Sequence, residues 1–178
     1  MLLRGGGAAA NKALVDLSRE SYNIQLLANY GAVTALIMNA ALRLYTSVKF
    51  PRSEEADRIN YANALFTTVS AICIISGAFT TILFNILGIY SKEALGTGKD
   101  GAYLAFSAAT AIYRKWGFRS FLTMLASFVG SFLLSLWSKI ESDNRLSRIL
   151  FYVSSGLTLW GAVHIRHVLQ LATQTIFQ

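Results

Sequence analysis

The chain has 178 residues, of which 54% are apolar and only 14% charged, with one proline, one cysteine and a net charge of +7. Soluble domains carry about a quarter of their residues as Asp, Glu, Lys or Arg, because charge covers their surface. A large soluble enzyme, a disordered tail and a disulfide scaffold are therefore excluded, and an all-α, polytopic integral membrane protein is expected.

Residues 1–20 hold the run Gly5-Gly6-Gly7-Ala8-Ala9-Ala10 followed by NKALVDLSRESY, a flexible segment leading into a short amphipathic helix. The basic n-region and apolar h-region of a cleavable signal are missing, and the acid-free stretch 1–15 is short for a transit peptide. With one cysteine and no export signal, a disulfide-dependent secreted form is not expected.

Hydrocarbon about 30 Å thick requires roughly 20 apolar residues per helix at about 1.5 Å rise per residue, so charge-free gaps mark the crossings. The gap between Glu20 and Arg43 places a first span at about 24–44. The longest gap, Arg58 to Lys92, places a second at about 62–90, which exceeds one crossing and must tilt or extend beyond the lipid. The loop after it opens with Gly96-Thr97-Gly98-Lys99-Asp100-Gly101, a turn cluster. There Tyr103, Phe106, Thr110 and Tyr113 recur near helical spacing, predicting an amphipathic helix over about 102–115 anchored by Arg114, Lys115 and Trp116. That helix either packs onto its own bundle or docks on a membrane surface or partner. A third span follows at about 119–138 and a fourth at about 149–171, the latter interrupted by Arg166 near its end. Residues 21–172 thus form one four-helix transmembrane domain, with 173–178 as a tail.

A barrel is excluded because its strands alternate apolar and polar residues, whereas AICIISGAF and FLLSLW are continuously apolar. Tyr22, Tyr45, Tyr61, Tyr90 and Trp137 fall at or near span ends, where amphipathic rings prefer the headgroup level; Trp160, inside the fourth span, does not. With both termini inside, that side holds nine of the sixteen basic residues and the other seven, a slight positive-inside bias.

Gly96 to Gly101 spells G-x-G-x-x-G, but the dinucleotide fingerprint needs a preceding strand, and Lys99 is not followed by Ser or Thr as a phosphate loop requires. A plain turn is the expectation. His164 and His167, spaced i and i+3, share a helix face, and a neutral imidazole there would ligate haem iron or chlorophyll magnesium. The competing reading is a pair of interface histidines flanking a snorkelling Arg166. No cofactor is required by the sequence. Asn39, Asn63 and Asn85 lie within or at the ends of the first two spans, and such amides usually bond across helices or meet an ion or ligand. Ala126, Gly130, Ser127, Ser131 and Ser135 in the third span, and Gly31 with Ala35 in the first, have small-x-x-x-small spacing suited to close packing. Cys73 reads as a buried, inert thiol. The four spans contain no Asp or Glu, which disfavours proton relays, cation transport and intramembrane hydrolysis, so an enzyme is not expected.

Four spans, a basic stretch before the first, a short first loop and a longer second one, with LLANYGAVTALI in span one and FVGSFLLSLW in span three, resemble the Orai-type calcium channel family. The resemblance covers roughly 17–139 and implies a homo-oligomeric channel with the first helix lining the pore. In that family an acid on the first helix forms the selectivity ring, since Ca²⁺ takes carboxylate oxygens. Here Met38 and Asn39 stand in that neighbourhood and the next acid is Glu54, so calcium selectivity is not carried over; a ring of Asn39 carboxamides would be weakly selective.

The first expectation for function is a non-catalytic accessory subunit of a larger membrane complex, photosynthetic or respiratory. A pI near 9.8, modest extramembrane mass and small-residue packing faces support it. Its partners would be the bilayer and other membrane subunits or copies of itself, not nucleic acid. An organellar inner or thylakoid membrane is favoured, with plasma membrane or endoplasmic reticulum as the alternative location. The Orai-like channel comes second, and a cofactor protein using His164 and His167 third.

Overall fold

Apolar residues uninterrupted by proline run as long helices, and the computed structural model, which describes residues 17–48, 56–138 and 145–176, has five among them. They are α1 (Leu17–Ser47), α2 (Ala56–Gly96), α3 (Asp100–Ala109), α4 (Ala111–Ser138) and α5 (Arg145–Ile176). Most of the N-terminal segment, including nearly all of its expected amphipathic helix, lies outside the described residues.

Among the described residues three helices are long and apolar enough to cross a membrane: α1 over Glu20–Ser47, α2 over Tyr61–Gly96 and α4 over Ala111–Trp137. By length and composition they mark an integral membrane protein. The expected fourth span corresponds to α5, which is not among the three and distributes its apolar residues more asymmetrically around its axis than the other helices.

The radial distribution of side chains follows from an apolar outer solvent. Thr34, Thr80 and Ser131 are fully buried, as are Cys73 and Met124, whereas Leu36, Ile75 and Ile89 are 70%, 69% and 62% exposed. Lipid tails are as apolar as leucine, so nothing drives large aliphatic groups inward. Small and polar residues, which pack closely or bond across helices, share the interior with Ile24, Phe66, Phe84, Leu87 and Met124. The aromatic residues expected at span ends, Tyr22, Tyr45, Tyr61, Tyr90 and Trp137, are all exposed, and so is Trp160.

The described residues group into two compact units, and α1, α2 and α4 each contribute to both. In the unit formed by Met1–Asn39 and Ile74–Met124, Tyr30 of α1 meets Phe84 of α2 at 5.8 Å and Phe118 and Phe121 of α4 at 6.1 and 5.2 Å. Phe84 lies against Gly117. The Ser120 hydroxyl donates to the Ser76 carbonyl at 3.1 Å, tying α4 to α2. In the unit formed by Ala40–Cys73 and Leu125–Gln178, the Ser70 hydroxyl donates to Ser131 Oγ at 3.2 Å. Tyr45 stacks on Phe66 at 6.3 Å, and Gly130 lets Val69 approach.

At about 1.5 Å per residue the 41 residues of α2 span about 60 Å, twice the hydrocarbon thickness. Its last turns pack on α3 instead: Tyr90 meets Phe106 at 6.0 Å, and Ile24 and Tyr103 form a buried cluster with Ala94 and Leu95. The predicted loop helix over 102–115 is divided, because α3 stops at Ala109 and residues 111–115 begin α4. The break is at Thr110 (φ −93°, ψ 2°), whose hydroxyl donates back to the Phe106 carbonyl at 2.7 Å.

Candidate functional site

The turn between α2 and α3 is a helix-ending motif. The Lys99 amide donates to the Ala94 carbonyl and the Gly98 amide to Leu95, both at 3.1 Å, with Gly98 at φ +66° in the left-handed conformation that glycine adopts without penalty. These bonds close α2, a helix rather than a strand, so the Gly96–Gly101 run acts here as a turn.

Beyond that turn, a polar network attaches α3 to both neighbours. Tyr103, 3% exposed, donates its hydroxyl to Glu20 Oε2 of α1, and Asn23 Nδ2 donates to the same oxygen at 3.1 Å. From α4, Arg114 reaches back to donate to Ser107 Oγ at 3.0 Å and to the Ser107 carbonyl at 2.8 Å. That carbonyl is one of the last of α3 and also accepts from the Thr110 hydroxyl at 3.5 Å, and a cation there complements the helix dipole. Asp100 in the first turn does the same at the other end. The loop helix therefore packs onto its own unit through Tyr103, while Leu104, Ala108 and Ala109 face outward.

Burial, reinforced by the Glu20 carboxylate, pushes the Tyr103 phenol from 10.0 up to about 12. A folded value above the unfolded one means that the contribution to stability is complete below about pH 10 and is lost as pH rises toward about 12. Thermal melts in detergent should show an alkaline loss of stability over that window, and Tyr103→Phe, which cannot ionise, should flatten it. An unchanged alkaline profile in Tyr103→Phe would show that the loss arises elsewhere.

The polar residues singled out from sequence are dispersed. Asn39, Asn63 and Asn85 are all exposed, although the Asn85 carboxamide lies over Gly31, 3.5 Å from where a β-carbon would stand. Gly31 is buried and Ala35 half-buried. In α4 the row Ser127, Ser131, Ser135 runs from half-buried to buried with Gly130 beside it, but Ala126 is exposed. The packing face is centred on the serines, and Ala126 lies past its edge. Cys73 is fully buried.

On α5 no described side chain is buried. Phe151, Ser154, Ser155, Thr158 and Gly161 form a half-buried face, and Trp160, His164, Arg166 and His167 are exposed. His164 Nδ1 donates to the Trp160 carbonyl at 3.0 Å, and its ring lies 4.3 Å from that of Trp160. In the neutral imidazole this leaves Nε2 with the lone pair, the nitrogen that an iron or magnesium would take. Among the described residues no three of His, Cys, Asp and Glu come together as a metal site.

Sequence reasoning missed Glu20 and Tyr103 as a pair, since 83 positions separate them. It also read Arg114 as a membrane anchor rather than the cap of α3. The available signal was Glu20 itself, the acid that bounds the first charge-free gap. No family model matches the chain, no curated protein matches it, and no solved structure matches its fold.

Proposed function

We propose that this chain is a four-span membrane protein acting as a non-catalytic accessory subunit of a larger assembly, in an organellar respiratory or photosynthetic membrane. The observation that carries the proposal is α5. As a fourth crossing it would turn Trp160, His164, Arg166 and His167 outward with no described side chain buried, and ionisable groups at membrane depth are costly unless another protein or the interface receives them. Neighbouring subunits covering α5 would supply that environment. In mild-detergent native gels the chain is expected to migrate with a fixed set of unrelated subunits. Migration as a lone monomer would overturn the proposal.

A second reading, the homo-oligomeric Orai-like channel, is favoured by the exposure of Asn39 on α1, the helix that would line the pore. It requires that the purified chain form a closed homo-oligomer, that liposomes containing it pass cations, and that Asn39→Ala change the current. Co-purification with unrelated subunits and electrically silent liposomes would exclude it.

A further inference from the structure

At the junction of α3 and α4 an open groove of about 650 Å³ has a floor of small and aliphatic residues, including Ala108, Ala109 and Ile112, and a rim of Lys115, Trp116 and Arg119. Such a volume suits a ligand of headgroup size. Lys115 and Arg119, spaced i and i+4 on α4, are neighbours on one helix face. The Arg119 guanidinium lies 5.8 Å from the centre of the Trp116 ring, a cation–π contact that orients it. Among the described residues no carboxylate pairs with either cation. Arg114, the third base of the cluster, is already used by Ser107. The groove thus presents two adjacent positive charges and an indole above an apolar floor.

Its position adds the depth at which it works. Ala111–Trp137 is one of the spans long and apolar enough to cross a membrane, and the groove occupies its first turns, where headgroups meet the protein. Basic and tryptophan side chains at that level face phosphate and glycerol, while Ile112, 58% exposed, faces acyl chain.

We propose that this groove binds one anionic phospholipid, with Lys115 and Arg119 on the headgroup phosphodiester, Trp116 at the glycerol level and the alanine–isoleucine floor against the upper acyl chains. A guanidinium matches a phosphate oxygen pair in geometry and a lysine adds a point charge. An excess of two unpaired cations favours a net-negative headgroup over a zwitterionic one, whose own ammonium they would repel. The inference rests on the reading of α4 as a membrane span.

The test uses the full-length protein reconstituted in nanodiscs of phosphatidylcholine and phosphatidylglycerol, followed by native mass spectrometry of the lipids it retains on release. Wild type should retain one phosphatidylglycerol per chain, enriched over phosphatidylcholine. Each removed charge should weaken retention about fivefold, and the Lys115→Gln/Arg119→Gln pair should weaken it more than either single change. Lys92→Gln/Lys99→Gln, which removes two bases outside the groove, should leave it unchanged. Equal retention of both lipids, or undiminished retention in the Lys115/Arg119 pair, overturns the site, the cations then serving an acidic protein partner. Displacement of the lipid by excess inorganic phosphate overturns it too, by revealing a free-phosphate site. Failure of the wild-type chain to enter the bilayer at all would overturn the membrane reading itself, and the site with it.

Discussion

Gly117→Val is expected to destabilise the protein by about 3 kcal/mol, the upper part of the range for overpacking a close-packed interior. A β-carbon at Gly117 would stand 2.5 and 2.8 Å from two ring carbons of Phe84 and 3.0 Å from a Leu83 methyl. The Phe84 ring cannot swing clear, because it is 2% exposed and lies against Tyr30. The smaller Phe84→Leu should therefore rescue Gly117→Val, giving a favourable coupling in a double-mutant cycle measured by thermal melts in detergent. Gly77→Ala is the contrast. Its β-carbon would meet Met124 Sδ at 3.1 Å and Met38 Cβ at 3.4 Å, contacts that a shift of the unbranched thioether by a few tenths of an ångström relieves even in a buried site, so the cost should stay below about 1 kcal/mol. Gly117→Val with wild-type stability, or no rescue by Phe84→Leu, would show that α2 and α4 do not approach this closely.

Met124→Ala should cost about 2 kcal/mol. Truncating a buried methionine costs about 2–5 kcal/mol in water-soluble proteins, from lost transfer energy plus a cavity. In hydrocarbon the transfer part is absent, since an unpacked methionine would still be in an apolar medium, and the lost dispersion contacts remain. Met124 has no exposed surface, so nothing softens that loss. Met124→Leu conserves volume and should cost less than about 1.5 kcal/mol. Leu36→Ala, at a residue 70% exposed, should leave the melting temperature in detergent nearly unchanged. If Leu36→Ala were as damaging as Met124→Ala, the assignment of large aliphatic residues to the outside would be wrong.

Both experiments probe an interior in which small and polar groups such as Thr34, Thr80 and Ser131 are buried beside Phe84 and Met124, while many large aliphatic residues lie outside. The existence of its long apolar helices was legible from charge alone, because exclusion of charge from hydrocarbon acts on each residue separately and leaves gaps in one dimension. The turn at Gly98 was legible for a similar reason: a left-handed residue after a helix needs glycine wherever the helix is placed.

Element ends were less legible. Residues 102–115 have a continuous helical pattern, yet the backbone leaves the helix at Thr110 (φ −93°, ψ 2°) and divides them, a change that side-chain periodicity does not register. The excess length of α2 was visible as an apolar run too long for one crossing, but its use, a platform for α3 at Tyr90, Ala94 and Leu95, was not.

The amino-acid sequence by itself determined the solvent of this protein, its all-helical class and the places where small residues permit close approach, since each depends on local composition and spacing. The tertiary structure decided which of those residues are used. Ser131 meets Ser70 while Ala126 faces out. Tyr103 finds Glu20 across 83 positions, and Arg114 caps α3 while Lys115 and Arg119 remain at an open groove. Those outcomes depend on which helix faces which, and in a lipid-soluble chain hydrophobicity is nearly uniform around α1, α2 and α4. Packing and hydrogen bonding between distant segments must then choose the inward face.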